Sequence, residues 1–101
     1  MVMRTEIGLF PDWGNQWSLW RVGAISPDAL GLSHGLERDL AEWTRVWQYE
    51  LDPVFEVRWK NDEDGRKWVR HGRDLAVRVQ AELGDEFCVV SNFDRYGPDS
   101  A

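Results

Sequence analysis

A chain of 101 residues sits at the size mode of single domains, which excludes a second core. Its 43% hydrophobic and 30% charged residues, with nine Gly and four Pro, exclude the disordered and collagen-like classes. Eighteen Asp+Glu against twelve Lys+Arg leave a net charge of −6, which argues against a generally basic nucleic-acid binder or a protein held on anionic lipid by overall charge.

The first strand is expected over Thr5 to Phe10 and the second over Gln16 to Val22. Between them Pro11-Asp12-Trp13-Gly14-Asn15 combines a fixed φ, a local side-chain acceptor and a residue free to take positive φ, the chemistry of a hairpin loop. After a connection through Ser26-Pro27-Asp28, Ser33 stands at the N-cap position of a first helix. Leu36, Leu40, Trp43 and Trp47 form its apolar stripe, and Arg38, Glu42 and Arg45 carry weak ion pairs opposite. Asp52-Pro53 ends it. Val54 to Trp59 alternates as a third strand or as a loop laid over the core. Asn61-Asp62-Glu63-Asp64-Gly65 reads as a polar turn, whose acids suit the positive end of a second helix from about Arg66 to Leu83. Trp68, Leu75, Ala76, Val79 and Leu83 mark the buried side of that helix, with Gly72 permitting close packing. Glu86 to Ser91 is a short apolar strand.

The order of elements implies an α+β domain over residues 1–92, with a small, mainly antiparallel sheet of three to four strands and two amphipathic helices on one face. Residues 93–101 form a polar C-terminal tail expected to fray.

Few chemistries survive inspection. One cysteine, Cys88, and two histidines, His34 and His71, cannot write a structural zinc set, and a lone cysteine forms no intramolecular disulfide, which fits a reducing cytoplasm. The acidic turn fails as a calcium loop, because aligning Gly65 with the loop glycine puts Lys60 at the first ligand position. No nucleophile elbow, phosphate loop or dinucleotide fingerprint is present, so an enzyme reading rests on no motif and no cofactor is implied. The stretch before Phe10 carries Arg4 and Glu6 and does not read as a signal peptide. No apolar run approaches the roughly 20 residues of a membrane span.

Two surface features remain. Residues 66–78 hold five Lys+Arg plus His71 against the single acid Asp74, so this segment is about +4 and the rest of the chain about −10. Arg66, Lys67, Arg70 and Arg73 are candidates for an anion or nucleic-acid contact. Stacking aromatics are not interleaved with them, which disfavours nucleic acid, and the steps of four through Arg70, Asp74, Arg78 and Glu82 read equally as a solvated ion-pair ladder. The second feature is seven Trp in so short a chain. Trp43, Trp47 and Trp68 fall on helix core stripes. Trp17 and Trp20, three apart in a strand, point to opposite faces, and Trp13 and Trp59 are hard to bury in two layers. Trp13, Trp20 and Trp59, with Asp62, Glu63 and Asp64 nearby, are therefore candidates for contact with a protein partner or for self-association.

The succession Leu30-Gly31-Leu32-Ser33, then Leu36, Leu40, Trp43 and Trp47, then Gly72, Leu75-Ala76 and Glu82-Leu83-Gly84 before a short apolar strand resembles small acidic uncharacterised bacterial proteins, some associated with toxin-immunity settings. The resemblance spans residues 16–92 and implies a protein-binding role without catalytic residues. The reading that follows is a cytoplasmic, non-enzymatic interaction module, an immunity or antitoxin-like inhibitor whose acidic surface meets a basic partner.

Overall fold

The computed structural model of the chain describes residues 4–51 and 59–98. Strand β1 (Thr5–Leu9) pairs antiparallel with β2 (Leu19–Trp20) and in parallel with β3 (Phe87–Ser91), giving the sheet order β2-β1-β3. Helices α1 (His34–Val46) and α2 (Asp62–Leu83) complete an α+β domain that has, among the described residues, three strands and two long helices. The sheet is mixed rather than mainly antiparallel, and its longer ladder is the parallel one, five register pairs from Thr5↔Phe87 to Leu9↔Ser91. Direction follows from the connections. Each of β2, α1, α2 and β3 reverses its predecessor, so after four reversals the chain runs alongside β1 in β1's own direction.

Strand alternation divides the sheet into two faces. Ile7, Leu9 and Leu19 point to the helices and are fully buried, while Glu6, Gly8, Trp20, Cys88 and Val90 share the other face by register. The second strand is shorter than its sequence pattern suggests because Ser18 takes φ 62° and breaks the pleat just before Leu19. Residues 54–58, in the segment read as a further strand, lie outside the described residues, and Trp59 is not in a strand.

The helices run antiparallel and are tied along their length. At one end the Ser33 N-cap oxygen accepts from the Leu36 N–H at 3.3 Å. Ser33 also donates through its own N–H and hydroxyl to the two Glu82 oxygens, each at 2.7 Å. Midway, Arg78 donates to Asp39 at 2.6 Å. At the other end the Trp43 and Trp68 rings stack at 4.3 Å, and each indole N–H donates to the other residue's backbone carbonyl, at 2.8 and 3.0 Å. A Cβ on Gly72 would lie 2.5 Å from Trp43 Cζ2 and 2.7 Å from Phe93 Cε2, so the bare backbone there is what admits the rings.

Two boundaries differ from the sequence pattern. The second helix begins at Asp62, so the stretch read as an acidic turn is its first turn. Asn61 caps it, accepting from the Asp64 N–H at 2.9 Å, and the three carboxylates sit at the positive end of the helix. Within the segment expected to fray, residues 93–98 pack down. Phe93 is 1% exposed and meets Trp43 and Trp68 edge-on, and the 3-10 turn Asp94–Tyr96 follows it. Polar composition hid this, because two aromatics, Phe93 and Tyr96, carry most of the docking.

Gly72→Ala is expected to destabilise the protein by about 1–3 kcal/mol through overpacking. Gly35→Ala, whose Cβ meets nothing within 4 Å, is expected to stabilise it by about 0.5–1 kcal/mol; urea denaturation of the two variants gives opposite signs. The hydrogen bond from Arg78 holds the Asp39 carboxyl below its ordinary value of 3.8, against the opposing effect of desolvation. A depressed folded-state pKa contributes stability above the ordinary value, and that contribution disappears as pH falls through the folded value. Both side chains are nearly half exposed, so Asp39→Asn is expected to cost at most about 1 kcal/mol at neutral pH. The deficit shrinks as pH falls below the ordinary carboxyl value and is lost once pH passes below the folded-state value, as denaturation followed across the acid range shows.

Candidate functional site

The three aromatic candidates have separate fates. Trp59 is 7% exposed: its indole N–H donates to the Tyr96 carbonyl at 2.7 Å and its ring lies 5.6 Å from that of Trp68. It lies flat because Gly65 gives way beneath it, where a Cβ would meet Trp59 Cδ1 at 2.6 Å. Trp59 is therefore a core residue, and its expected place at an exposed interface is corrected. Trp43, Trp47 and Trp68 are buried as their helical spacing requires.

Trp20 lies on the sheet face turned away from the helices. Its ring stacks on Phe10 at 5.0 Å with planes 5° apart, and its N–H donates to the Phe10 carbonyl at 2.8 Å. The polar edge of the indole is satisfied within the chain, leaving an apolar strip over Gly8 beside half-buried Cys88 and Val90, which is 42% exposed. Trp17 packs partly against the core. The two tryptophans do separate as expected, although Trp17 is in a turn and Ser18, not strand alternation, redirects the chain. Phe10 escaped the sequence reading; its signal was its place two residues after Gly8 on the side that Trp20 must cross.

Trp13 is 49% exposed and packs its ring 5.4 Å from Trp47. Its loop is held from inside by buried Asn15. The Asn15 carbonyl oxygen accepts from the N–H groups of Trp17 and Ser18, each at 3.0 Å, and its amide donates to the Leu19 carbonyl at 2.6 Å. The Ser18 hydroxyl meets Thr44 Oγ1 at 2.6 Å. Since Thr44 spends its proton on the Leu40 carbonyl, Ser18 is the donor. The loop is thereby anchored to α1.

The four basic candidates do not form one patch. Arg66, Arg70 and Arg73, spaced four and three apart, line a cleft of about 370 Å³ closed by Asp94, Gly97 and Pro98. Lys67 and His71 point to a different cleft of about 430 Å³ between the helices, over Trp43 and Trp68. The ladder read through Arg70, Asp74, Arg78 and Glu82 also resolves differently: Arg70 pairs with Glu63 at 3.2 Å, Arg78 with Asp39, and Glu82 with Ser33. On α1, Arg45 and Glu42 pair at 2.6 Å as their spacing predicts.

Asp62, Glu63 and Asp64 are exposed, with Glu63 committed to Arg70 and Asp64 to Asn61. Among the described residues, no three His, Cys, Asp or Glu side chains are gathered as a metal set, and no helix is long and apolar enough to cross a membrane. Asn15→Ala leaves two N–H groups and a carbonyl without their partner. It is expected to cost about 2–4 kcal/mol, in the range of a buried polar deletion, and to raise acrylamide quenching of Trp13 fluorescence.

Compared with known families, residues 3–93 match a family described as Serratia CdiI immunity protein-like. No curated protein matches the chain.

Proposed function

The chain belongs to the Serratia CdiI immunity protein-like family, and from that premise we propose that it is a cytoplasmic immunity protein, a non-enzymatic module that binds a protein toxin and holds it inactive. The observation that carries this reading is the extent of the match, which takes in every strand and both long helices from Thr5 to Ser91.

The surface supports it. A net charge of −6 favours a basic partner, because complementary fields accelerate encounter and exclude like-charged competitors. The Phe10–Trp20 strip supplies flat apolar area whose polar edge is already satisfied, and Trp13 supplies a second aromatic held on a rigid loop. Interfaces draw most of their energy from a few such anchors. Asp62, Glu63 and Asp64 contribute exposed negative charge at the start of α2. The anchors are Trp13 and Trp20, with Trp59 acting only from beneath as support.

Purification from the native host at low salt is expected to recover one basic protein in stoichiometric complex, and co-expression with that partner is expected to relieve its growth inhibition. Trp20→Ser is expected to raise the dissociation constant about 30-fold or more, as loss of an interface anchor does, and to lower the melting temperature modestly through loss of the stack and hydrogen bond on Phe10 while the fold is kept. A protein that recovers no stoichiometric partner and is strictly monomeric overturns the reading.

A further inference from the structure

Among the described residues, the sheet order β2-β1-β3 leaves β3 with a neighbouring strand on one side only. The Thr5 N–H donates to the Glu86 carbonyl at 2.9 Å and the Asn92 N–H to the Leu9 carbonyl at 3.1 Å. In a parallel ladder of that register, Glu86, Cys88, Val90 and Asn92 turn their main-chain groups toward β1, and Phe87, Val89 and Ser91 turn theirs to the open edge. Such an edge is a template for another strand unless charge, proline or a bulge blunts it. The strand Phe87-Cys88-Val89-Val90-Ser91 contains neither charge nor proline.

A side chain from the last turn of α2 closes the edge instead. The Gln80 amide donates to the Phe87 carbonyl at 2.9 Å, and its oxygen accepts from the Val89 N–H at 2.9 Å. These are the bonds that one residue of a parallel neighbour would make. The same amide donates to the Gly84 carbonyl at 3.1 Å, so both of its protons and its oxygen are committed and its orientation is fixed.

The edge is also self-complementary. In a second copy laid antiparallel and centred on Val89, each Val89 N–H would meet the other copy's Val89 carbonyl, and each Ser91 N–H the other copy's Phe87 carbonyl. Every one of these bonds uses a group that Gln80 now holds. Cys88 of one copy would face Val90 of the other on the outer sheet face, covering a valine that is 42% exposed. We propose that the Gln80 side chain closes the β3 edge against a second copy of the chain, and that removing its amide turns this edge into a self-association site. The inference does not depend on toxin binding.

The test is sedimentation velocity over a concentration series, with near-ultraviolet circular dichroism of the stacked tryptophans reporting the fold. Q80A, and Q80M, which keeps the length of the side chain without its hydrogen-bonding groups, are each expected to lower the dimer dissociation constant at least about tenfold relative to the wild-type chain, the scale of one or two recovered main-chain bonds. The double variant Q80A/S91P, which deletes an outward N–H that the dimer needs, is expected to return the constant to the wild-type value. Variants at Gln80 that associate no more tightly than the wild-type chain overturn the proposal. Association that persists in Q80A/S91P, or that develops only as the near-ultraviolet signal is lost, overturns it as well, since it then runs through another surface or through unfolded chains.

Discussion

The structure depends on the reciprocal contact between Trp43 and Trp68. Each indole places its ring on the other and its N–H on the other's main chain, so helix spacing, rotation and register are set by one pair. Stacking alone tolerates sliding and a hydrogen bond alone tolerates tilt; the combination tolerates neither. The pair forms only because Gly72 sits one turn beyond Trp68, where any side chain would enter the Trp43 ring. Phe93 then closes the cluster edge-on from the far side of the chain.

The apolar strip and the arginine-lined cleft are both consequences of that packing. With the helices committed to one face of the sheet, the opposite face carries Trp20, and Phe10 is its only stacked partner among the described residues. With Phe93 drawn into the cluster, the residues after it are carried across α2, and Gly65 and Gly97 let them lie close enough to wall a cleft against the arginines. The apolar strip and the basic cleft thus arise on different sides of the domain from one core contact.

Much of the fold was legible in local sequence. Ser33 as an N-cap, the stripe Leu36, Leu40, Trp43 and Trp47, the reversing loop around Asn15 and the closeness permitted by Gly72 all follow from spacing and side-chain chemistry, and the structure contains each. Three departures share one cause. Trp59 looked exposed, Phe93 and the residues up to Pro98 looked like part of a tail, and Lys67 looked like part of an arginine patch, because each outcome was decided by a partner more than 20 residues away. Trp59 is covered through Tyr96, Phe93 through Trp43 and Trp68, and the arginines part from Lys67 because the 94–98 segment docks against one side of α2 only.

By itself, then, the sequence determined the class of the domain, its two amphipathic helices, the Ser33 cap of the first and an acidic character with one basic segment, since these rest on periodicity, backbone preference and charge within a few turns of chain. Tertiary structure decided the strand direction of β3, which tryptophans meet solvent and which basic residues share a cleft. Those outcomes are set by the number of chain reversals and by contacts between distant elements, quantities that no local window of sequence contains.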